Sequence, residues 1–244
     1  MNRIEELVRN KTVGIIAFGK SISELESNIE KFRDKDIVWC TLNYFWILEP
    51  ILEKINKRFD LVLNCATFDG LEVIQQQKAE EYRIPFLQNY IDKNGLVLST
   101  KKFMIQYLKN LKIDFYDRNK KNIFLLDDII RKPFGLPNSL ACLILACAKF
   151  APSKILIFGM DGFVGEGDDI DSYYKPKLIK ECRTRMWGHW HGSIKSTTFD
   201  FQNKFWDCYN RYIPDYKVNI LNVSSESYFD IFPKLSSNEV LQIL

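Results

Sequence analysis

The chain has 244 residues, of which 46% are apolar and 27% charged; this is enough apolar material for a substantial core and is unlike a disordered chain. A formal net charge of +3 is too weak to indicate a nucleic-acid binder, although it suits an anionic small substrate or peripheral association with an anionic membrane. The N-terminus lacks a secretory-signal pattern, no apolar run reaches about 18 residues, and the six cysteines form no CxxC pair, so we expect a cytoplasmic protein with free thiols.

Short apolar runs alternate with helix-like segments along the chain. From the N-terminus, the patterns predict a helix at 2–10, a strand at 12–18, a helix capped by Ser21 or Ser23, a strand at 36–43, a helical segment kinked or broken at Pro50, a strand at 60–68, a helix at 71–83 and a strand at 84–90. Further on, they predict a helix at 100–112, a strand at 122–128, an apolar helix from Asn138 to about 150, a strand at 154–161, a polar loop-rich lid at 162–196, a helix at 198–213, a strand at 217–224 and a short final helix. This alternation predicts a single α/β domain over 1–244, Rossmann-like, with a mostly parallel sheet and helices on both faces.

Ligands of such sheets bind at the carboxyl ends of strands, near the point where the strand order reverses. The residues that follow the predicted strands, and those that open the apolar helix, are therefore the candidate site: Gly19, Lys20, Ser21, Asn43, Asn64, Asn138, Ser139, Gly159 and Asp161. The turn FGKSIS offers backbone N–H groups at a helix N-terminus, which bind phosphate well. It lacks the spacing of a P-loop, so an ordinary strand-to-helix turn stays the alternative.

The other candidates also have structural interpretations. Asn43 and Asn64 can cap helices, or can donate to and accept from a base or ribose. Asn138 and Ser139 can cap the apolar helix or form a second anion site. Asp161 can bind a ribose hydroxyl, orient a base or hold a metal, and the acidic run at 166–171 is either a solvated loop or a source of metal ligands.

Four stretches together resemble a known group: IIAFGKSISEL, CTLNYFW, DLVLNCATF and NSLACLILACAKFAPSKILIFGMDGF. They are similar to the bacterial sialyltransferases of glycosyltransferase family 42 and to the related 6-hydroxymethylpterin diphosphokinase-like domains. Those families carry G-x-G-P-S-L after the first strand, an Asn after the second and third strands, and a helix-opening serine about twenty residues before G-[IMV]-D. The tail beginning NVSSES also resembles their N-x-S-x-x-S ending, so the resemblance spans most of residues 12–235.

The resemblance implies a GT-A-like variant of the fold and a nucleotide-binding role for the residues at matching positions, which are Gly19, Ser21, Asn43, Asn64, Ser139, Gly159 and Asp161. The chain departs from the pattern where Phe18 and Lys20 replace an asparagine and a proline, where Leu140 replaces a glycine, and where Phe163 replaces a tyrosine. Tyr173 and Tyr174 are then candidates to contact the leaving phosphate, and the donor need not be CMP-sialic acid itself.

The chain's two histidines, His189 and His191, lie in the stretch MWGHWHGS of the predicted lid. A histidine of this loop is the general base of the resembling sialyltransferases, which implies that role for His191, with His189 as the alternative. Imidazole titrates near neutrality and can take a proton from an attacking hydroxyl. Packing against the adjacent tryptophans is the competing interpretation, whereas a zinc site lacks further ligands. Arg183 and Arg185 either bind an acidic acceptor or donor group or are simply exposed.

We therefore expect an inverting glycosyltransferase that transfers a nonulosonic, sialic-type acid from a CMP-sugar donor to a hydroxyl of a surface glycan, without a metal or other cofactor. One alternative is a pterin-type diphosphokinase that uses ATP and Mg²⁺, with the metal on Asp161 and the run at 166–171. Another is a non-catalytic nucleotide- or glycan-binding module. The hypotheses differ in their nucleotide, CMP or ATP, and in whether a product forms.

Overall fold

One parallel sheet organises the structure, a computed structural model that describes residues 3–19, 21–65, 72–130, 138–161, 203–215, 217–224, 227 and 229–244. Its strands are β1 (Thr12–Ile16), β2 (Ile37–Leu42), β3 (Leu61–Leu63), β4 (Leu96–Ser99), β5 (Ile123–Leu125), β6 (Lys154–Phe158) and β7 (Asn219–Val223). Every pairing between neighbouring strands is parallel. The predicted Rossmann-like α/β class is therefore confirmed.

Helices connect the strands, and in the sequence a helix also precedes the first strand and another follows the last. The α-helices are α1 (Arg3–Val8), α2 (Ile22–Asn28), α3 (Glu49–Glu53), α4 (Val73–Asp92), α5 (Leu108–Asn110), α6 (Tyr116–Asn119), α7 (Leu126–Ile129), α8 (Ser139–Ala148), α9 (203–212) and α10 (Ser237–Ile243). Two 3₁₀ turns cover Ile29–Phe32 and Phe45–Ile47, and a π-helical segment covers Lys102–Tyr107. Across the described ranges, no helix is both long and apolar enough to cross a membrane.

The strand order is β5-β4-β3-β2-β1-β6-β7. From β1 the chain adds β2 to β5 on one side, then returns to place β6 on the other side of β1. The strand order thus reverses between β1 and β6, and the two connections leave these strands in opposite directions. The carboxyl ends of β1 and β6 are where a ligand crevice is expected in such a sheet.

Both faces of the sheet are covered, which explains why its strands are continuously apolar. Along β1, Val13 and Ile15 belong to the core on one face, whereas Ile16 belongs to the core on the other. The first core is closed by residues of α1, α8 and α9, and the second by residues of α2, α3, α4 and α10. The predicted placement of helices on both faces is confirmed.

The prediction of a strand at 84–90 is wrong, because α4 continues through this stretch and contains Pro85. Arg83, Leu87, Tyr90 and Ile91 are all buried, and their spacing of four, three and one residues follows one face of a helix. Burial of this face offsets the cost of a proline that donates no backbone hydrogen bond. The fourth strand is instead β4, a four-residue apolar stretch that the sequence interpretation did not identify.

Candidate functional site

The turn after β1 lies against the end of β6, at the reversal of the strand order. The Gly19 amide donates to the Gly159 carbonyl (2.8 Å), and Gly159 has a φ of +74°, a left-handed conformation that favours glycine. A Cβ on Gly19 would lie 2.5 Å from the Gly159 oxygen and 2.6 Å from Asp161 Oδ2. The two glycines therefore allow a backbone approach that no larger residue would permit.

Asp161 joins the ends of three strands through its carboxylate. Its Oδ2 accepts from the Ser21 amide (2.6 Å), and its Oδ1 accepts from the hydroxyls of Ser21 and Ser224, the latter at 3.1 Å. Ser21 precedes α2 but forms no side-chain cap, because its hydroxyl faces Asp161. The Ile22 amide donates to the Gly19 carbonyl (3.2 Å). Since both amides already have acceptors, the geometry disfavours the hypothesis that they bind phosphate.

Asn43 connects the ends of β2 and β3 rather than capping a helix. Its φ of 50° is a left-handed conformation that asparagine tolerates better than most residues. Its amide donates to the Leu63 carbonyl (2.6 Å), and its Oδ1 accepts from the Cys65 amide (3.3 Å). The side chain thus fixes the backbone just beyond β3, where the next candidate residue lies.

Asn64 is fully buried at the end of β3, and its side-chain nitrogen has no acceptor among the described residues. Its Oδ1 accepts from Arg83 Nη1 (3.4 Å). A guanidinium has donors only, so it selects the amide orientation in which the oxygen faces Arg83. The N–H groups of Asn64 Nδ2 are thereby directed elsewhere. A buried donor without an acceptor is costly, which is a common mark of a group that meets a ligand.

Arg83 and Glu80 are functional candidates that the sequence interpretation missed. Their side chains are 1% and 0% exposed and form a bidentate ion pair, with Arg83 Nε 2.9 Å from Glu80 Oε2. The guanidinium also lies 4.6 Å from the centre of the Phe103 ring, in cation–π contact. Burial raises the pKa of the Glu80 carboxyl, and the Arg83 charge offsets part of this rise. The ion pair fixes the position of the Arg83 guanidinium, which in turn holds the Asn64 side chain by a hydrogen bond.

The N-terminus of α8 lies next to the end of β3. Asn138 Oδ1 accepts from the Ala141 amide (2.9 Å), which confirms the predicted helix cap. The Cys65 thiol donates to Ser139 Oγ (3.3 Å); burial raises the pKa of this thiol, so it stays protonated at neutral pH. Within the described part of the chain, no acceptor is found for the amides of Ser139 and Leu140 or for the Ser139 hydroxyl proton.

Asn64 Nδ2 lies on the face of the sheet that Arg83 covers, whereas Cys65 and α8 pack on the other face. Three open donors therefore meet at the N-terminus of α8, on the carboxyl edge of the sheet: the Ser139 hydroxyl and the amides of Ser139 and Leu140. A helix N-terminus with open amides attracts anions. We name this group of donors the α8 donor cluster, and it is suited to the oxygens of a phosphate or carboxylate.

Several predicted site residues lie outside the described part of the chain: Lys20, Tyr173, Tyr174, Arg183, Arg185, His189 and His191, with the predicted lid at 162–196 and its acidic run. Their roles stay predictions. Of the described candidates, Gly19, Ser21, Gly159 and Asp161 meet at the β1–β6 reversal, Ser139 belongs to the α8 donor cluster, and Asn64 lies with Arg83 on the other face of the sheet. Asn43 links the β2 and β3 ends between these two groups.

The fold is similar to that of a structurally characterised enzyme, the monofunctional alpha-2,3-sialyltransferase Cst-I from Campylobacter jejuni. The two superpose with a TM-score of 0.61 over 93% of this chain and 81% of that one, at 15% sequence identity. The sequence matches no protein-family model and no curated protein. The structural likeness establishes a sialyltransferase-like fold, in agreement with the sequence resemblance to the sialyltransferases. It gives no support to the resemblance to the diphosphokinase-like domains.

Proposed function

We propose that the chain is an inverting glycosyltransferase that transfers a sialic-type sugar from a CMP-sugar donor to a hydroxyl of a surface glycan. The α8 donor cluster is the observation that carries this proposal. A CMP-sugar joins its sugar to the nucleotide through a phosphate, and the cluster presents uncommitted donors to such a group at the expected edge of the sheet. The sialyltransferase-like fold supports the sugar-transfer chemistry.

In this mechanism the acceptor hydroxyl attacks the anomeric carbon of the donor sugar while the carbon–oxygen bond to the phosphate breaks. The α8 donor cluster stabilises the negative charge that develops on the departing CMP phosphate, since preorganised amides at a helix N-terminus need little rearrangement as the charge forms. His191, or His189 in its place, takes the proton of the attacking hydroxyl. Gly19, held by the Gly159 carbonyl, and Ser21, held by Asp161, form the wall of the nucleotide site at the β1–β6 reversal.

The proposal is tested by measuring thermal stabilisation with CMP, CDP, UDP, GDP and ATP, each with and without Mg²⁺. At a CMP concentration about 100 times its Kd, the expected stabilisation of about 2.7 kcal/mol corresponds to a rise in Tm of roughly 5–10 °C for a chain of this size. Stabilisation by ATP only, and only with Mg²⁺, would instead support a diphosphokinase. CMP binding without transfer from a CMP-sugar would indicate a binding module.

Asn64→Asp should weaken CMP binding by roughly 10- to 100-fold, because it replaces a buried open donor at the carboxyl edge of the sheet with a negative charge that repels the phosphate. The change keeps the size of the side chain and leaves Arg83 with an acceptor. Asn122→Asp is the matched control: Asn122 Nδ2 donates to the Gly95 carbonyl (3.0 Å), next to the amino ends of β4 and β5. Equal loss of CMP affinity in both variants, measured by calorimetry, would contradict the assignment of Asn64.

Separate substitutions of His191 and His189 test which of the two histidines is the general base. We expect His191→Ala to lower kcat for transfer by about a hundredfold, with the Kd for CMP unchanged, because a general base acts on the acceptor and not on the nucleotide. His189→Ala is the control and should retain kcat within about threefold, a change worth less than about 0.7 kcal/mol. The reverse pattern would assign the base to His189, and near-full activity in both variants would rule out a histidine base.

A further inference from the structure

The end of β7 contacts the residues that follow β6, at the β1–β6 reversal. Asn222, Ser224 and Ser227 follow one another along this end, and their side chains are 0%, 0% and 5% exposed. All three direct hydrogen bonds at the residues that follow β6. We name this group the β7 clamp.

Two members of the β7 clamp hold the backbone of Met160. Asn222 Nδ2 and Ser227 Oγ donate to the Met160 carbonyl at 3.1 Å and 2.6 Å. Asn222 is itself fixed, because its amide donates to the Pro233 carbonyl and its carbonyl accepts from the Leu235 amide, both at 2.9 Å. The backbone before Asp161 is therefore anchored from the β7 side.

The third member, Ser224, acts on the Asp161 carboxylate. Its hydroxyl donates to Oδ1 (3.1 Å), while the Ser21 amide donates to Oδ2 (2.6 Å). Because Ser224 is fully buried, its hydrogen bond fixes the orientation of the Asp161 carboxylate. That orientation in turn determines where the Ser21 amide can bond to Oδ2. Ser224 thus contacts Asp161, which contacts Ser21, although no hydrogen bond links Ser224 directly to Gly19 or Ser21, the described residues of the turn.

We infer that Asn222, Ser224 and Ser227 are positioning residues that set the conformation of the turn between β1 and α2 through Met160 and Asp161. The consequence for nucleotide affinity rests on the proposed function, whereas the consequence for the turn does not. Asp161 accordingly connects Ser224 to Ser21 by hydrogen bonds. It affects ligand binding by fixing the positions of Gly19 and Ser21.

The test compares Ser224→Ala with Ser237→Ala in the full chain. Ser237 is also a buried serine, 1% exposed, but its hydroxyl has no hydrogen-bond partner among the residues that the structure describes, so the control removes an equal volume without removing a bond. In nucleotide-free protein, Ser224→Ala should speed hydrogen exchange of the Ser21 amide by about tenfold, the effect of one lost hydrogen bond to a charged group. The Kd for CMP should rise by a similar factor, and Ser237→Ala should change neither quantity.

A double-mutant cycle gives the second readout. Because Ser21 and Ser224 share Asp161 Oδ1, the effects of Ser21→Ala and Ser224→Ala on stability should be non-additive. Unchanged exchange of the Ser21 amide in Ser224→Ala, or strict additivity in the cycle, would overturn the inference. Faster exchange in a protein that binds no CMP would uphold the positioning role and refute the proposed function instead.

Discussion

Gly19→Ala should destroy the nucleotide site while leaving the rest of the fold in place. The added Cβ would lie 2.5 Å from the Gly159 carbonyl and 2.6 Å from Asp161 Oδ2, and the first of these is a backbone atom that no rotamer change can move. The turn must shift, which breaks the hydrogen bond from Gly19 to Gly159 and those from Ser21 to Asp161. We expect overpacking to cost about 1–3 kcal/mol and the misplaced turn to lower transfer roughly a hundredfold.

The control for Gly19→Ala is Gly95→Ala, at the amino end of β4. There the added Cβ would lie 2.4 Å from the Tyr90 ring, so this substitution also overpacks the core but does so at the opposite edge of the sheet. We expect a comparable loss of Tm with unchanged Kd for CMP. If both variants lose CMP affinity in proportion to their loss of Tm, then the turn after β1 does not contribute to the nucleotide site beyond its effect on stability.

The strand positions were predictable because each strand of a doubly covered parallel sheet is a short apolar run that ends at a polar residue. The predicted strands at 12–18, 36–43, 60–68, 122–128, 154–161 and 217–224 each contain one observed strand, namely β1, β2, β3, β5, β6 and β7 in that order. The pattern failed where a helix face was mistaken for a strand: the aromatic and apolar residues at 84–90 match either structure over seven positions. Extending the window to Arg83 and Ile91 would have revealed the helical period, and with it the buried face of α4.

The site residues at strand ends were also predictable, since parallel strands bring their carboxyl ends to one edge. The same rule points to Ser224 after β7, which also lies in the NVSSES stretch of the tail. Arg83 could not be found in this way, because it reaches Asn64 from the middle of α4 across 19 positions of sequence. What a sequence pattern does not convey is which hydrogen bonds are already made, and this distinguishes the open α8 donor cluster from the occupied amides near Asp161.

Arg83→Met should destabilise the protein by about 3–5 kcal/mol, because it leaves the Glu80 carboxylate buried without a counter-charge. Methionine has a similar length and fills the space beside Phe103, so packing is largely kept. The matched control is Arg33→Met, which breaks the ion pair of Arg33 with Glu30, another Arg–Glu pair of i,i+3 spacing. The side chains of Arg33 and Glu30 are 39% and 62% exposed, respectively. An exposed pair contributes less than about 1 kcal/mol. Denaturant unfolding measures both losses directly.

The pH dependence of Arg83→Met identifies the cause of its instability. Burial raises the pKa of Glu80, and Arg83 offsets part of that rise, so removing Arg83 raises the pKa further above its value in the unfolded chain. A group with a raised folded-state pKa favours the folded state at low pH, and this contribution is lost as pH rises through the folded pKa. The gap in stability between the variant and the unmodified protein should therefore narrow as pH falls from 8 toward 5. Adding Glu80→Gln should remove most of this pH dependence, and a gap that stays constant with pH would show that lost packing, not the uncompensated carboxylate, causes the instability.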